Sequence, residues 1–228
     1  MGSIILTVMT SASSLLDDVT KLLSAPRMGT YLTATGGDRE RALQLYCWNA
    51  QISAALMVPA HFAEVTTRNA VHDALTELYG PDWPWSTSFH QALPSVRPGA
   101  FNPLAALQSA CGTNSRTTGQ VVADLNFFFW EQMFTSRHDR RLWTPRIRAL
   151  FPNSDVALRP WDLRRTVHDH LYRIRDLRNR VAHHEPIFTR DLVGDLETTL
   201  SLVRMRSAPT ADLLGQVESV STLLTNRP

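Results

Sequence analysis

The chain has 228 residues, 43% hydrophobic and 19% charged, a composition that suits a folded domain with its own core, and no apolar run approaches the ~20 residues that span a bilayer. Cys47 and Cys111 are the only cysteines, which excludes a disulfide framework and a cysteine-based zinc site and suits a reducing compartment. The net charge of +2 conceals an imbalance: from Arg137 to Arg190 thirteen arginines face six acids, a surplus of seven, so the rest of the chain is five negative.

Met1 to Met9 holds a short apolar stretch that lacks a basic flank and is too short for a membrane, so a cytoplasmic protein without a membrane partner is expected. Helical periodicity runs through the rest, with no sustained apolar–polar alternation, and predicts an all-α protein. A first helix is expected over Ser14 to Leu23, ended by Pro26 and Met28-Gly29. Asp38 then caps a long helix with Ala42, Leu43, Leu45, Tyr46 and Ala50 on its apolar face. Pro59 should kink or break that helix, and Gly80-Pro81 should stop its second half near Leu78. Residues 81–120 are punctuated by prolines and glycines and read as an irregular insertion with short helical pieces. Val121 to Phe134, Leu142 to Leu150 and Trp161 to Ala182 follow as helices, and two amphipathic helices, Arg190 to Arg204 and Thr210 to Leu224, complete the chain. The whole reads as one domain over 1–228, with 1–25 as an N-terminal extension.

The chemistry concentrates near the end of the helix Trp161 to Ala182. Val167, Leu171, Ile174 and Val181 define its buried stripe, and Arg178 falls on the same stripe. A buried guanidinium requires a carboxylate, carbonyls or a phosphate beside it. Asn179 and His183, four residues apart, share the adjacent face if the helix persists to His183. Arginine, amide and imidazole then meet at one small surface, a set suited to RNA cleavage without a metal or other cofactor. Imidazole can take the proton of a ribose 2′-hydroxyl or protonate the departing 5′-oxygen, and arginine stabilises charge building on the phosphoryl oxygens. His184 is an alternative imidazole. The bland reading of His183-His184-Glu185-Pro186 is a helix C-terminal cap, and a zinc site from His168, His170, His183 and His184 has no carboxylate or thiolate to complete it.

The run Arg178-Asn179-Arg180-Val181-Ala182-His183-His184-Glu185-Pro186-Ile187-Phe188 resembles the C-terminal signature of the Abi-like abortive-infection proteins of the HEPN superfamily. Tyr31-Leu32, the segment Asp38 to Leu56 with Tyr46, Trp48 and Asn49, and Glu64-Val65-Thr66-Thr67-Arg68-Asn69-Ala70 are similar to that family's N-terminal half. Phe128 to Phe134, Leu142-Trp143 and Leu150-Phe151-Pro152 resemble its central apolar block. Thr67 departs from the apolar residue the family usually carries before the arginine. The superfamily motif, an arginine, a polar residue, three variable positions and a histidine, is matched by Arg178, Asn179 and His183. The resemblance implies a HEPN-type helical bundle with additional N-terminal and central helices, metal-independent endoribonuclease activity leaving a 2′,3′-cyclic phosphate and a 5′-hydroxyl, and a composite site in a homodimer. It also implies a role in anti-phage defence or as a toxin restrained by a protein or small-RNA antitoxin.

Around this centre the sequence offers two accessory groups. Arg173, Arg175 and Arg180 are candidates for holding RNA phosphates, because a basic face attracts a polyanion. Glu64, Arg68, Asn69 and His72 form a second polar cluster; Glu64 and Arg68 are spaced for an ion pair that braces the active helix, and direct RNA contact is the sharper reading. The aromatic run Phe127 to Trp130 reads as core in preference to a base-stacking platform. The alternative to catalysis is a helical module that binds RNA or a protein without cleaving either.

Overall fold

A computed structural model describes residues 12–94, 96, 97, 99–112 and 115–228. The Met1 to Met9 stretch lies outside the described residues. The protein is 76% helical, with no strand among the described residues, so the all-α class holds. None of the described helices is long and apolar enough to cross a membrane.

The organising element is α3, Arg39–Tyr79, 41 residues without a break. Asp38 caps it: its carboxylate accepts from the backbone N–H of Glu40 at 3.1 Å and of Arg41 at 3.0 Å. Gly80 ends it with φ 88°, a conformation that only glycine adopts without strain. Pro59 does not divide α3 into two helices. A proline inside a helix removes one hydrogen bond and costs about 3 kcal/mol. Here the apolar positions on both sides, Ile52 and Leu56 before it and Ala60 and Ala63 after it, are buried, and their packing outweighs that cost.

Before α3 lie α1, Ala12–Leu23, and α2, Ala25–Ala34. The second is a correction to the sequence reading, which took Pro26 and Gly29 as stops. Pro26 instead occupies the first turn of α2, where its missing N–H has no intrahelical partner to lose. The insertion 81–120 contains a 3-10 turn, Trp83–Trp85, and the short helices α4, Thr87–Ala92, and α5, Pro103–Cys111. The single helix expected over Val121 to Phe134 is two, α6, Thr118–Asp124, and α7, Phe127–Gln132. Asn126 divides them because its side chain accepts from Phe129 N–H at 2.9 Å and so starts a new helix. A π turn, Asp139–Trp143, leads into α8, Thr144–Leu150.

The remaining helices are α9, Pro160–Ala182, α10, Leu192–Arg206, α11, Ala208–Val217, and α12, Val220–Thr225. The last two replace the one helix expected over Thr210 to Leu224. Helix α10 packs against α3, α9 and α11, and α9 packs against α3, α7 and α8.

Two apolar clusters lie along the α3–α9 pair. The larger joins Ala60 to Leu75 of α3 with Leu163, Val167, Leu171 and Ile174 of α9 and with the aromatic block Phe127, Phe129, Trp130, Phe134, Trp143 and Phe151. The smaller joins Ala42 to Leu56 of α3 with Leu177 of α9, Tyr31, Ile187, Phe188, Leu192, Leu196 and Val220. Helix α9 therefore runs antiparallel to α3, and its C-terminal end sits over the smaller cluster.

Candidate functional site

Helix α9 ends in a closed cap. The N–H of His184 donates to Val181 O at 3.0 Å and that of Glu185 to Arg180 O at 2.9 Å, the paired bonds of a Schellman motif. His184 occupies the left-handed position at φ 55°, where a side chain other than glycine is costly. Three contacts fix this end to the rest of the molecule. Arg27 of α2 donates to His184 O at 2.5 Å, placing a cation at the negative end of the helix. The Asn49 side chain, 6% exposed, accepts from Ile187 N–H at 2.8 Å. Ile187 and Phe188 are buried in the smaller cluster.

Arg178 is half-buried, but the deep position at this level belongs to Leu177, 3% exposed. The buried stripe has moved by one residue because α9 here faces the smaller cluster. Arg178 forms no hydrogen bond or ion pair among the described residues, and it is alone in this among the arginines of α9. Asn179 is half-buried and His183 exposed. His183 N–H donates to Asn179 O at 2.9 Å, so the helical turn reaches His183 and stacks these two residues on one face. Five helical residues separate Arg178 from His183, about 140° of rotation and about 7.5 Å of rise. Within one chain the guanidinium and the imidazole therefore flank a shared edge of the helix end and do not face each other. The cap reading and the catalytic reading of His183 are compatible, because the cap uses its backbone and leaves its ring free.

The arginines expected to hold RNA have protein partners. Arg173 pairs with Asp195 at 2.5 Å and Asp191 at 3.0 Å. Arg175 pairs with Glu131 at 2.5 Å and lies over the Phe128 ring, 4.5 Å from its centroid. Arg180 pairs with Glu185 at 3.3 Å and Asp176 at 3.5 Å. Glu131 and Asp195 are 2% and 1% exposed, and a carboxylate so buried must be paired. Arg190 is the second partner of Asp195, at 2.5 Å, and also binds Asp176 at 2.5 Å. Burial pushes the Asp176 pKa up, but its bonds to Arg190 and the nearby Arg180 charge outweigh that and hold it below the usual carboxylate range. Gly194 lies close beside this network: a Cβ there would overlap the Asp191 carboxylate and approach an Arg173 nitrogen to 2.7 Å, so a larger residue would displace these side chains.

The second polar cluster lies on the other side of the division between the two apolar clusters. No hydrogen bond or ion pair links Glu64, Arg68, Asn69 or His72 to Arg178, Asn179 or His183 among the described residues. The expected Glu64–Arg68 brace is not formed; a pair at this spacing contributes only about 0.5 kcal/mol and does not fix two long side chains. Arg68 Nε and Thr67 Oγ1 are buried without a hydrogen-bond partner. His72 Nδ1 accepts from the Trp83 indole N–H at 3.0 Å, which makes His72 a strut between α3 and the insertion. Asn69 is exposed.

His168 and His170 lie at least thirteen residues, about 20 Å of helix, before His183. Among the described residues no three of His, Cys, Asp and Glu gather where they could hold a metal ion. The sequence reading passed over the roles of Asn49, Glu131, Asp195 and Arg190. Asn49 and Glu131 are polar residues within apolar stretches whose partners lie 138 and 44 residues away, and Asp195 joins Arg190, five residues before it, to Arg173, 22 residues before it. No protein-family model, curated protein or solved structure matches the chain.

Proposed function

We propose that this chain is a metal-independent endoribonuclease of the HEPN type, an Abi-like protein that cuts RNA in anti-phage defence or as the toxin of a toxin–antitoxin pair. The observation that supports this reading is the half-buried guanidinium of Arg178, the one arginine of α9 with no partner among the described residues, one edge of the helix away from an exposed imidazole. Such a group is ready to meet a phosphate. In the reaction, His183 takes the 2′-hydroxyl proton as O2′ attacks phosphorus, the P–O5′ bond breaks, and O5′ receives a proton. Arg178 stabilises the charge on the non-bridging oxygens and Asn179 orients the phosphate. The products are a 2′,3′-cyclic phosphate and a 5′-hydroxyl. A single imidazole cannot act as base and acid at once, so the reading calls for a homodimer in which the partner subunit's His183 supplies the second proton transfer.

The test is incubation of wild type, Arg178→Ala and His183→Ala with total RNA in excess chelator, followed by end-group analysis. Wild type is expected to leave 5′-hydroxyl ends, and each variant should lose about 100-fold or more of the rate, the range for removing a general acid–base. Both positions are at least partly exposed, so the unfolding midpoint should stay within about 2 °C of wild type. Parental cleavage by both variants would overturn the assignment. A second reading, a module that binds RNA or protein without cleaving it, draws on the capping role of the His183 and His184 backbones. It requires no cleavage by wild type and unchanged binding in His183→Ala.

A further inference from the structure

At the far end of α3, Tyr79, Phe89 and Gln91 join Arg137, His138 and Arg141 around a cavity of about 190 Å³. From Asn49, beside the α9 cap, to Tyr79 is thirty residues of helix, about 45 Å, so this cavity is remote from Arg178 and His183. No carboxylate lines it. Neither Arg137 nor Arg141 forms an ion pair or side-chain hydrogen bond among the described residues, although most other arginines of the basic stretch do. The acids flanking the lining residues His138 and Tyr79 in sequence are occupied: Asp139 holds Arg164 at 2.9 Å and Glu77 holds Arg146 at 3.0 Å. Arg141 is instead held over the Tyr79 ring, 5.9 Å from its centroid.

His138 adds a donor at the same cavity. It is 7% exposed, lines the cavity, and makes no side-chain hydrogen bond among the described residues. Neither ring nitrogen is among the fully buried polar atoms that lack a partner, so the ring is open to the cavity and can donate to a group within it. The π turn Asp139–Trp143 carries Leu142 and Trp143 into the core and leaves Arg140 and Arg141 outward, and such turns recur at functional sites. Two arginine cations flank this small concavity without a counter-charge, a positive field that attracts an anion. The volume, that of about six water molecules, admits a phosphate group with a small part of what carries it.

We infer that this cavity is a second anion site, in which Arg137, Arg141 and the N–H of His138 bind a phosphate group. The group can belong to a small phosphomonoester or to a phosphodiester of a polynucleotide strand; the donors fit either. The inference does not rest on ribonuclease activity.

The test is calorimetric titration with inorganic phosphate, in the Arg178→Ala protein so that the α9 end does not contribute. Saturable binding is expected, weakened about 10-fold or more by adding Arg137→Ala or Arg141→Ala, as befits loss of a charge-assisted hydrogen bond. Both arginines are exposed, so circular dichroism and the unfolding midpoint should remain parental. Displacement then separates the sources. A 5′-mononucleotide that displaces phosphate where a single-stranded oligonucleotide without a terminal phosphate does not marks a small-molecule site, and the reverse marks a strand site. Absence of phosphate binding, or binding unchanged in both added variants, overturns the inference.

Discussion

The two ends of the α3–α9 pair are built differently. The far end is a thick apolar core: Phe134 stacks on Trp143 with ring centroids 4.2 Å apart, the Trp143 indole donates to Met133 O at 2.6 Å, and Arg175 locks α9 to the buried Glu131 of α7. The near end is a thin cluster held at its rim by single polar contacts, Asn49 to Ile187, Arg27 to His184, and the Trp48 indole to Leu223 O at 2.7 Å. The far end holds the fold, whereas the near end holds one helix terminus in place while leaving Arg178 and His183 uncommitted. Rigid support beneath uncommitted side chains is what the proposed chemistry requires.

The contrast can be broken most forcefully at the far end. Arg175→Ala strands the Glu131 carboxylate, 2% exposed, without its partner, and should cost about 3–5 kcal/mol in denaturant unfolding. A loss within 0.5 kcal/mol would mean that α7 and α9 are joined by apolar packing alone.

Next in size is a pH effect at His138. Burial, with the Arg137 charge adding to it and Asp139 opposing, pushes its pKa from 6.5 down to about 4. The folded protein therefore refuses a proton that the unfolded chain accepts. Stability from this group is fully present above pH 6.5, falls as the pH drops towards 4, and levels off below that, a loss of up to about 3 kcal/mol. His138→Gln should flatten the stability profile between pH 6.5 and 4, measured by urea unfolding at each pH. An unchanged slope would show that His138 is not the titrating group.

The smallest effect sharpens the picture of the near end. His184→Gly relieves a left-handed residue and should stabilise the protein by about 1 kcal/mol, seen as a raised unfolding midpoint. On the proposed ribonuclease reading, cleavage retained in this variant assigns the imidazole to His183, and cleavage lost assigns it to His184. A lowered midpoint would mean that the His184 side chain itself holds the cap.

Much of this was legible because its causes are local. Asp38 and Gly80 bound α3, and α9 spans Pro160–Ala182 where its pattern runs from Trp161. The grouping of Asn179 with His183 follows from spacing along one helix. What was not legible depends on partners far along the chain. Arg173 and Arg175 look like free cations in sequence, since the carboxylates that hold them, Asp191 and Asp195 for the first and Glu131 for the second, lie 18, 22 and 44 residues away. The Glu64–Arg68 spacing permits a pair without compelling one.

The order of residues by itself determined an all-helical chain, most of its helix boundaries, and the stacking of Asn179 and His183 on one face of the α9 end, because capping, periodicity and glycine geometry act over a few residues. Only the tertiary structure decided that α3 continues through Pro59, that Asn126 divides an apparently continuous apolar helix, and which arginines are already neutralised. Those outcomes balance backbone and charge penalties against burial, and burial is set by segments that meet only when the chain has folded.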